Sequence, residues 1–330
     1  MKGGLSIFFT GASSFTGYWF VRSLARSGNR VTCLFTKPNL QGYAGLRRKR
    51  VQLLLAEPRV FPVWGSLLRD SEVTRLLINS DRWDVFCHHA AEARNHKSPD
   101  FNPLTAAASD VEGLESALNA FKLRSGKSLV FSGTYFESGK GLDGDGAPAF
   151  SPYAVSKSLA AEIAKFYAHR LGIAVTKFVM ANPFGPYEER GFTTYLAREW
   201  LAGRVPSVQT PEYLRDNVPV TLMASHYTAC VLSSLEASRY REITTSGYAG
   251  KQGVFALEFA LRLGPFLGKC PLKIESQSEF LEPRERMNSM DGSRPNWKPA
   301  EEDQFWSELA EFYHRHAATG DTQQLPKKTE

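Results

Sequence analysis

Short apolar runs alternate with helix-length stretches through the first half of the chain. "LSIFF", "RVTCLF", "VFPVW", "DVFCHHA", "SLVFS" and "AVTKFVM" are the runs, and each is separated from the next by a segment long enough for a helix. Strands that are apolar almost throughout are buried on both faces, and strands joined through helices pair in parallel. The pattern predicts an α/β fold, a doubly wound parallel sheet of the Rossmann type. Helix ends agree: Gly28 follows "VRSLARS" and Gly126 follows "LESALNAFKLRS", where a C-terminal glycine belongs.

After "NPFGP" at 182–186 the rhythm changes to longer irregular segments with fewer strands. This places a Rossmann domain at 1–181 and a smaller C-terminal lobe at 182–318 that completes the site, with part of the lobe returning to the sheet. The last helix, "AEEDQFWSELAEFYHRH", sets Phe305, Trp306, Leu309 and Phe312 at helical spacing for core packing. Residues 319–330 are polar and read as a disordered tail.

Composition narrows the class. Of 330 residues, 42% are hydrophobic and 22% charged, which excludes a disordered chain. "LSIFF" is far shorter than a signal-peptide core, and no run approaches the about eighteen apolar residues of a membrane span. A cytoplasmic protein with no membrane partner is expected. Cys33, Cys87, Cys230 and Cys270 show no metal-ligand spacing and read as buried free thiols. The net charge of +6 is spread along the chain, and "RRKR" at 47–50 reads as a solvated helix face. No basic stretch is interleaved with aromatics, so no nucleic acid partner is expected.

Candidate chemistry begins at "FFTGASSFTGYW", where the first strand turns into a helix through Gly11 and Gly17. A tight turn at a helix N-terminus points backbone N–H groups and the positive dipole end at one place, which suits a pyrophosphate. Gly11, Ser13, Ser14, Phe15, Thr16 and Gly17 are therefore the expected dinucleotide-binding residues. About twenty residues on, a carboxylate would hold the ribose hydroxyls of NAD. "RVTCLFTKPN" has none: Phe35 and Thr36 are followed by Lys37, and Ser13 could also reach a 2′-phosphate. NADP is the preferred cofactor and NAD the alternative.

"SPYAVSKSLAAE" sets Tyr153 and Lys157 on one face of a helix. A tyrosine working near neutral pH must drop about three units from its usual pKa, about 4 kcal/mol, and an ammonium nearby has the right sign to help. Upstream, "LVFSGTYFESG" ends a strand at the sheet's carboxyl edge, where ligands bind, and offers Ser132 and Thr134. His88 and His89 adjoin in a strand, so they face opposite ways; one of them would line the cofactor pocket, and two histidines alone do not make a metal site. "GKGLDGDGAP" at 139–148 lacks the ligand spacing of a calcium loop and reads as a mobile loop beside the site. Glu188 and Glu189 read as solvated loop carboxylates.

In this order the motifs resemble the extended short-chain dehydrogenase/reductase family, in its nucleotide-sugar epimerase, dehydratase and reductase branch. The resemblance rests on "TGASSFTG", "GSLLRD", "DVFCHHAA", "FSGTYFESG", "YAVSK", "NPFGP", "LRDNVPV" and "NWKPAEE". It implies that Tyr153 is the general acid or base and that Lys157 binds the nicotinamide ribose and lowers the tyrosine pKa. Thr134 would hydrogen-bond the sugar oxygen. Ser132, Asn182 and Arg215 would contact the substrate, with Arg215 at its pyrophosphate, and Ser66, Leu67 and Ala90 would line the cofactor site. The chain departs from the family at Ser66, where an acid is usual, and at Asp110, where asparagine is. Dehydratases of the family carry an Asp-Glu pair after the threonine, and Tyr135 and Phe136 stand here instead. That leaves a 4-keto-sugar reductase using NADPH, favoured by the missing acid after the second strand, or alternatively a nucleotide-sugar 4-epimerase with tightly bound NAD. A non-catalytic NADP-binding protein is the remote alternative. The resemblance also implies a nucleotide-sugar substrate and a homodimer.

Overall fold

The computed structural model describes residues 4–96, 98, 100–141, 148–237, 239–289 and 297–318. The expected tail at 319–330 and most of the 139–148 loop lie outside the described residues. The chain divides into two compact units: Met1–Ala181 with Met223–Thr245, and Asn182–Leu222 with Ser246–Glu330.

The first unit opens β1(Ser6–Thr10), α1(Phe15–Arg26), β2(Arg30–Phe35), α2(Gly45–Leu55), β3(Val60–Trp64), α3(Ser71–Asn79) and β4(Val85–His88). It continues through α4(Pro103–Val111), α5(Leu114–Leu123), β5(Ser128–Thr134), α6(Pro152–Arg170) and β6(Ala174–Met180). Six strands pair in parallel in the order β6-β5-β4-β1-β2-β3. Chain order reverses between β1 and β4, so a crevice opens at the carboxyl ends of those strands, the ligand position of open α/β sheets. Thr10 and His88 are register partners there.

Alternation explains the layers. Phe8 faces one side of the sheet and packs with Phe86, Leu114, Leu118, Phe121 and the alanines of α6. Phe9 faces the other and meets Tyr227, which stacks on Phe20 of α1 with ring centres 4.0 Å apart. β5 is buried at every position, its Leu129–Phe131 run covered on both faces of the sheet. Pro62 lies in β3 at the sheet edge, where a missing N–H costs no ladder bond. At the end of α5 the left-handed residue is Ser125 (φ 64°) and not the expected Gly126. Gly126 is needed for a different reason: a Cβ there would fall on the Phe121 ring.

The second unit holds β7(Asn182–Phe184), α7(Phe192–Leu201), β8(Ser207–Val208) and β9(Leu214–Pro219). α8(Val220–Ser233) and β10(Tyr240–Thr244) follow, and from Met223 on they belong to the first unit, where β10 adds a seventh parallel strand beside β6. β11(Tyr248–Lys251), α9(Gln252–Leu267), β12(Lys273–Ile274), β13(Glu285–Arg286) and α10(Pro299–Ala318) complete the second unit. Its core is aromatic: Phe184 meets Phe255, Phe259, Phe305 and Trp306. Among the described residues, no helix is long and apolar enough to cross a membrane. The four cysteines are free; Cys33, Cys87 and Cys230 are buried and Cys270 is half-buried.

Candidate active site

The glycine turn is packed backbone to backbone. Gly11 has φ +83°, and a Cβ on it would lie 2.7 Å from the Ala90 amide nitrogen beyond β4. A Cβ on Gly17 would fall on the Gly11 carbonyl oxygen. Ser14 caps α1: its hydroxyl accepts the Gly17 N–H at 3.0 Å and donates to Gly11 O at 2.9 Å. Only glycine lets the first turn of α1 close this tightly, and the result is a cradle of N–H groups at a helix N-terminus that fits a dinucleotide pyrophosphate.

Two arginines of α2 grip the same turn. Arg47 donates from Nε to Ser13 Oγ at 3.0 Å, and Arg50 donates from Nε to Ser13 O at 3.1 Å. Arg50 is 1% exposed. The reading of "RRKR" as a solvated face is therefore corrected: one helical turn inside the run points at the cradle. Lys37 is exposed just past β2, its amide donating to the Tyr43 hydroxyl at 3.4 Å. Ser66 is buried, its hydroxyl donating to Trp64 O at 3.3 Å, whereas Leu67 is 39% exposed.

The histidine pair faces both ways, as alternation requires. His88 Nε2 lies 2.8 Å from the Asp110 carbonyl, which can only accept, so Nε2 carries the proton. Nδ1 then accepts from Thr10 Oγ1 at 2.9 Å, and Thr10 Oγ1 accepts the amides of His89 and Ala90 at 3.2 and 3.1 Å. His89 bridges Thr16 Oγ1 at 2.9 Å and Ser132 Oγ at 2.7 Å. Burial and the Lys157 ammonium push His88 down to about 4 and His89 down to about 3, so both are neutral. His89 thus sits behind the glycine turn with both ring nitrogens engaged, one of them by the Ser132 hydroxyl.

Tyr153 and Lys157 lie one turn apart on α6, whose start is fixed by Pro152 in its first turn and by Ser151, which accepts the Ala154 amide at 3.2 Å. Lys157 is 2% exposed, its ammonium 4.7 Å from the centre of the Phe131 ring on β5. Tyr153 is half-buried against His96 and Phe101, with ring centres at 5.4 and 6.3 Å. Thr134, at the end of β5, is buried, and its hydroxyl accepts the Phe136 amide at 3.4 Å. Burial pushes the Tyr153 hydroxyl up, and the carboxylates of Asp110 and Glu137 push it further the same way. This corrects the expected lowering by Lys157. Burial lowers Lys157 itself against the pull of Asp110 and Glu137, and burial lifts Asp110 to about 6. One Asp110 oxygen accepts the Glu92 amide at 2.6 Å.

The NAD dependent epimerase/dehydratase family profile matches residues 7–229. The chain belongs to that family. UDP-glucuronate 4-epimerase 1 of Arabidopsis thaliana is 28% identical over 195 residues, 56% of this chain and 44% of that protein, so the match spans less than half of the relative's length. UDP-glucuronic acid 4-epimerase from Bacillus cereus, solved with UDP-glucuronic acid and NAD, is 17% identical with a TM-score of 0.71, over 94% of this chain and 100% of that one. UDP-glucose 4-epimerase from Thermotoga maritima, solved with UDP-glucose, is 17% identical with a TM-score of 0.69, over 94% and 99%. A dTDP-glucose 4,6-dehydratase from Streptomyces venezuelae, solved with NAD, is 19% identical with a TM-score of 0.67, over 96% and 98%. At these identities the solved structures share the fold.

Two residues expected at the substrate lie in the second unit of this epimerase/dehydratase family member. Asn182 is in β7, half-buried, and Arg215 is in β9, 6% exposed. Arg215 is engaged within its own unit: Nη1 donates to the carbonyls of Leu214 at 2.9 Å and Arg284 at 3.0 Å, Nη2 to Glu282 at 3.1 Å, and its guanidinium lies 4.3 Å from the Tyr213 ring centre. Glu188 is not the solvated carboxylate expected. It accepts from Thr193 Oγ1 at 3.1 Å and Thr194 Oγ1 at 3.3 Å, and burial pushes it up to about 7. Sequence reasoning also missed Glu137 and Lys177, a buried ion pair beside Thr134. The signal was Lys177 itself, a charge inside the apolar run "AVTKFVM", which demands a partner when the strand is buried on both faces.

Proposed function

We propose that the protein is a nucleotide-sugar 4-epimerase that works through a transient 4-keto sugar. The observation that carries this reading is the convergence, at the carboxyl ends of β1, β4 and β5, of a pyrophosphate cradle with Thr134, Tyr153 and Lys157. The glycine turn of Gly11, Ser14 and Gly17, with Lys157, would hold a nicotinamide dinucleotide, which would supply a reversible hydride acceptor for the sugar C4. Tyr153 Oη takes the proton from the C4 hydroxyl and later gives it back. Thr134 Oγ1 holds the same sugar oxygen, and Lys157 holds the ribose side. Burial, Asp110 and Glu137 favour the protonated phenol; taking the C4 proton needs the phenolate, which the Lys157 ammonium and an oxidised nicotinamide, when bound, would favour by their positive charge.

The reductase reading leaned on the missing carboxylate after β2. That feature bears on which dinucleotide is held and not on the fate of the hydride, since an epimerase returns what it takes. The similarity to 4-epimerases favours the epimerase. Tyr135 and Phe136, tilted against each other with ring centres 4.3 Å apart, offer no carboxylate for dehydration. The test is incubation with UDP-glucose, UDP-glucuronate and their N-acetylated counterparts, read by proton NMR. A 4-epimer forming without net absorbance change at the NADH wavelength supports the proposal; consumption of NADPH by a keto-sugar nucleotide with no epimer overturns it.

A further inference from the structure

The first acidic residue in the chain is Glu57. The segment that forms β1, α1, β2 and α2 therefore carries no carboxylate at all, while five of its cationic residues fall between Lys37 and Arg50. An adenosine ribose seated past β2 meets no acid from this segment to accept bonds from its two hydroxyls. What stands there instead is basic and held in place. Arg50 is buried and ties α2 to the cradle through Ser13 O, while Arg47 is exposed and tied to Ser13 through its side chain alone. Arg47 uses Nε for Ser13 Oγ, which leaves Nη1 and Nη2, the two-pronged edge suited to phosphate, available among the described residues. Its guanidinium is further fixed 5.6 Å from the ring centre of Tyr43, the same tyrosine whose hydroxyl accepts the Lys37 amide. Ser13, Arg47 and Lys37 thus come from three consecutive segments, the glycine turn, α2 and the end of β2, and Tyr43 joins the last two.

We infer that this site is built for a phosphate monoester on the adenosine ribose, so that the chain takes NADP in a family described by NAD, and that Arg47 is the residue that selects it. Ser13 is its positioning residue, and Arg50 is the buried strut that keeps α2 against the turn. The inference rests on the dinucleotide part of the proposed function and is independent of the epimerase part.

Calorimetric titration of the purified protein with NADP and with NAD tests it. NADP is expected to bind at least tenfold more tightly, with a preference that shrinks as salt rises, because a charged contact to an exposed arginine is screened. Arg47→Ala is expected to weaken NADP by about ten- to a hundredfold and NAD far less, with Arg47→Lys intermediate. NAD binding as tightly as NADP, or Arg47→Ala weakening both equally, overturns the inference while the dinucleotide site stands. Binding of neither overturns the site and the inference together. If the protein purifies with a dinucleotide in place, the mass of the nucleotide released on denaturation gives the same answer: NADP as expected, or NAD against it.

Discussion

The backbone amide of Thr134 donates to Glu137 Oε1 at 2.7 Å, and Lys177 is paired with the other oxygen of that carboxylate. The pair's side chains are 1% and 7% exposed. Gly133 makes room for it, because a Cβ there would lie 2.7 Å from Glu137 Oε1 and 2.5 Å from Lys177 Cε. Removing one partner strands a buried charge. Glu137→Gln is expected to cost about 3–5 kcal/mol of unfolding free energy in urea, and adding Lys177→Met is expected to recover much of it. A double variant no more stable than the single one contradicts this assignment.

Tyr153→Phe keeps the ring against His96 and Phe101 and removes only the hydroxyl. Turnover is expected to fall by on the order of a hundredfold or more while dinucleotide affinity holds, the usual contribution of a placed acid–base group. Steady-state rates and calorimetry separate the two effects, and unchanged turnover removes Tyr153 from its role.

His88 and His89 are held below their ordinary pKa, so the folded chain resists protonation that the unfolded chain accepts. Their contribution is fully present above about pH 6.5 and is lost as pH falls towards 4 for His88 and 3 for His89, by on the order of 3 and 5 kcal/mol. His89→Gln is expected to flatten the fall in melting temperature between pH 6.5 and 4. An unchanged slope contradicts the neutral assignment.

Glu188 runs the other way. Its folded pKa is raised to about 7, so its favourable contribution is present below about pH 4.5 and lost as pH rises through 7. Glu188→Gln is expected to gain about 1–3 kcal/mol over the parent between those limits, seen as a higher urea midpoint at pH 8 than at pH 4 relative to the parent.

The sheet was readable because strands buried on both faces must be apolar throughout, and Phe8 and Phe9 show why both faces need covering. The cradle was readable because Gly11 and Gly17 sit where no side chain fits. The grip of Arg47 and Arg50 on Ser13 was not, since a basic run on a helix looks solvated until the helix is docked and one turn of it faces inward. The direction of the Tyr153 shift was hidden for the same reason. It depends first on burial and then on Asp110 and Glu137, which reach the tyrosine only through the packing of α4 and the turn after β5.

The most direct measurement is the fate of a deuterium label at C4 of the nucleotide sugars already named, followed by mass spectrometry and NMR through conversion. If Tyr153 moves only the proton and the hydride returns to the carbon it left, the 4-epimer keeps its deuterium at C4 with no label in solvent. A 4-epimer that has lost the label, or a C4 alcohol formed only when NADPH is consumed, contradicts the account.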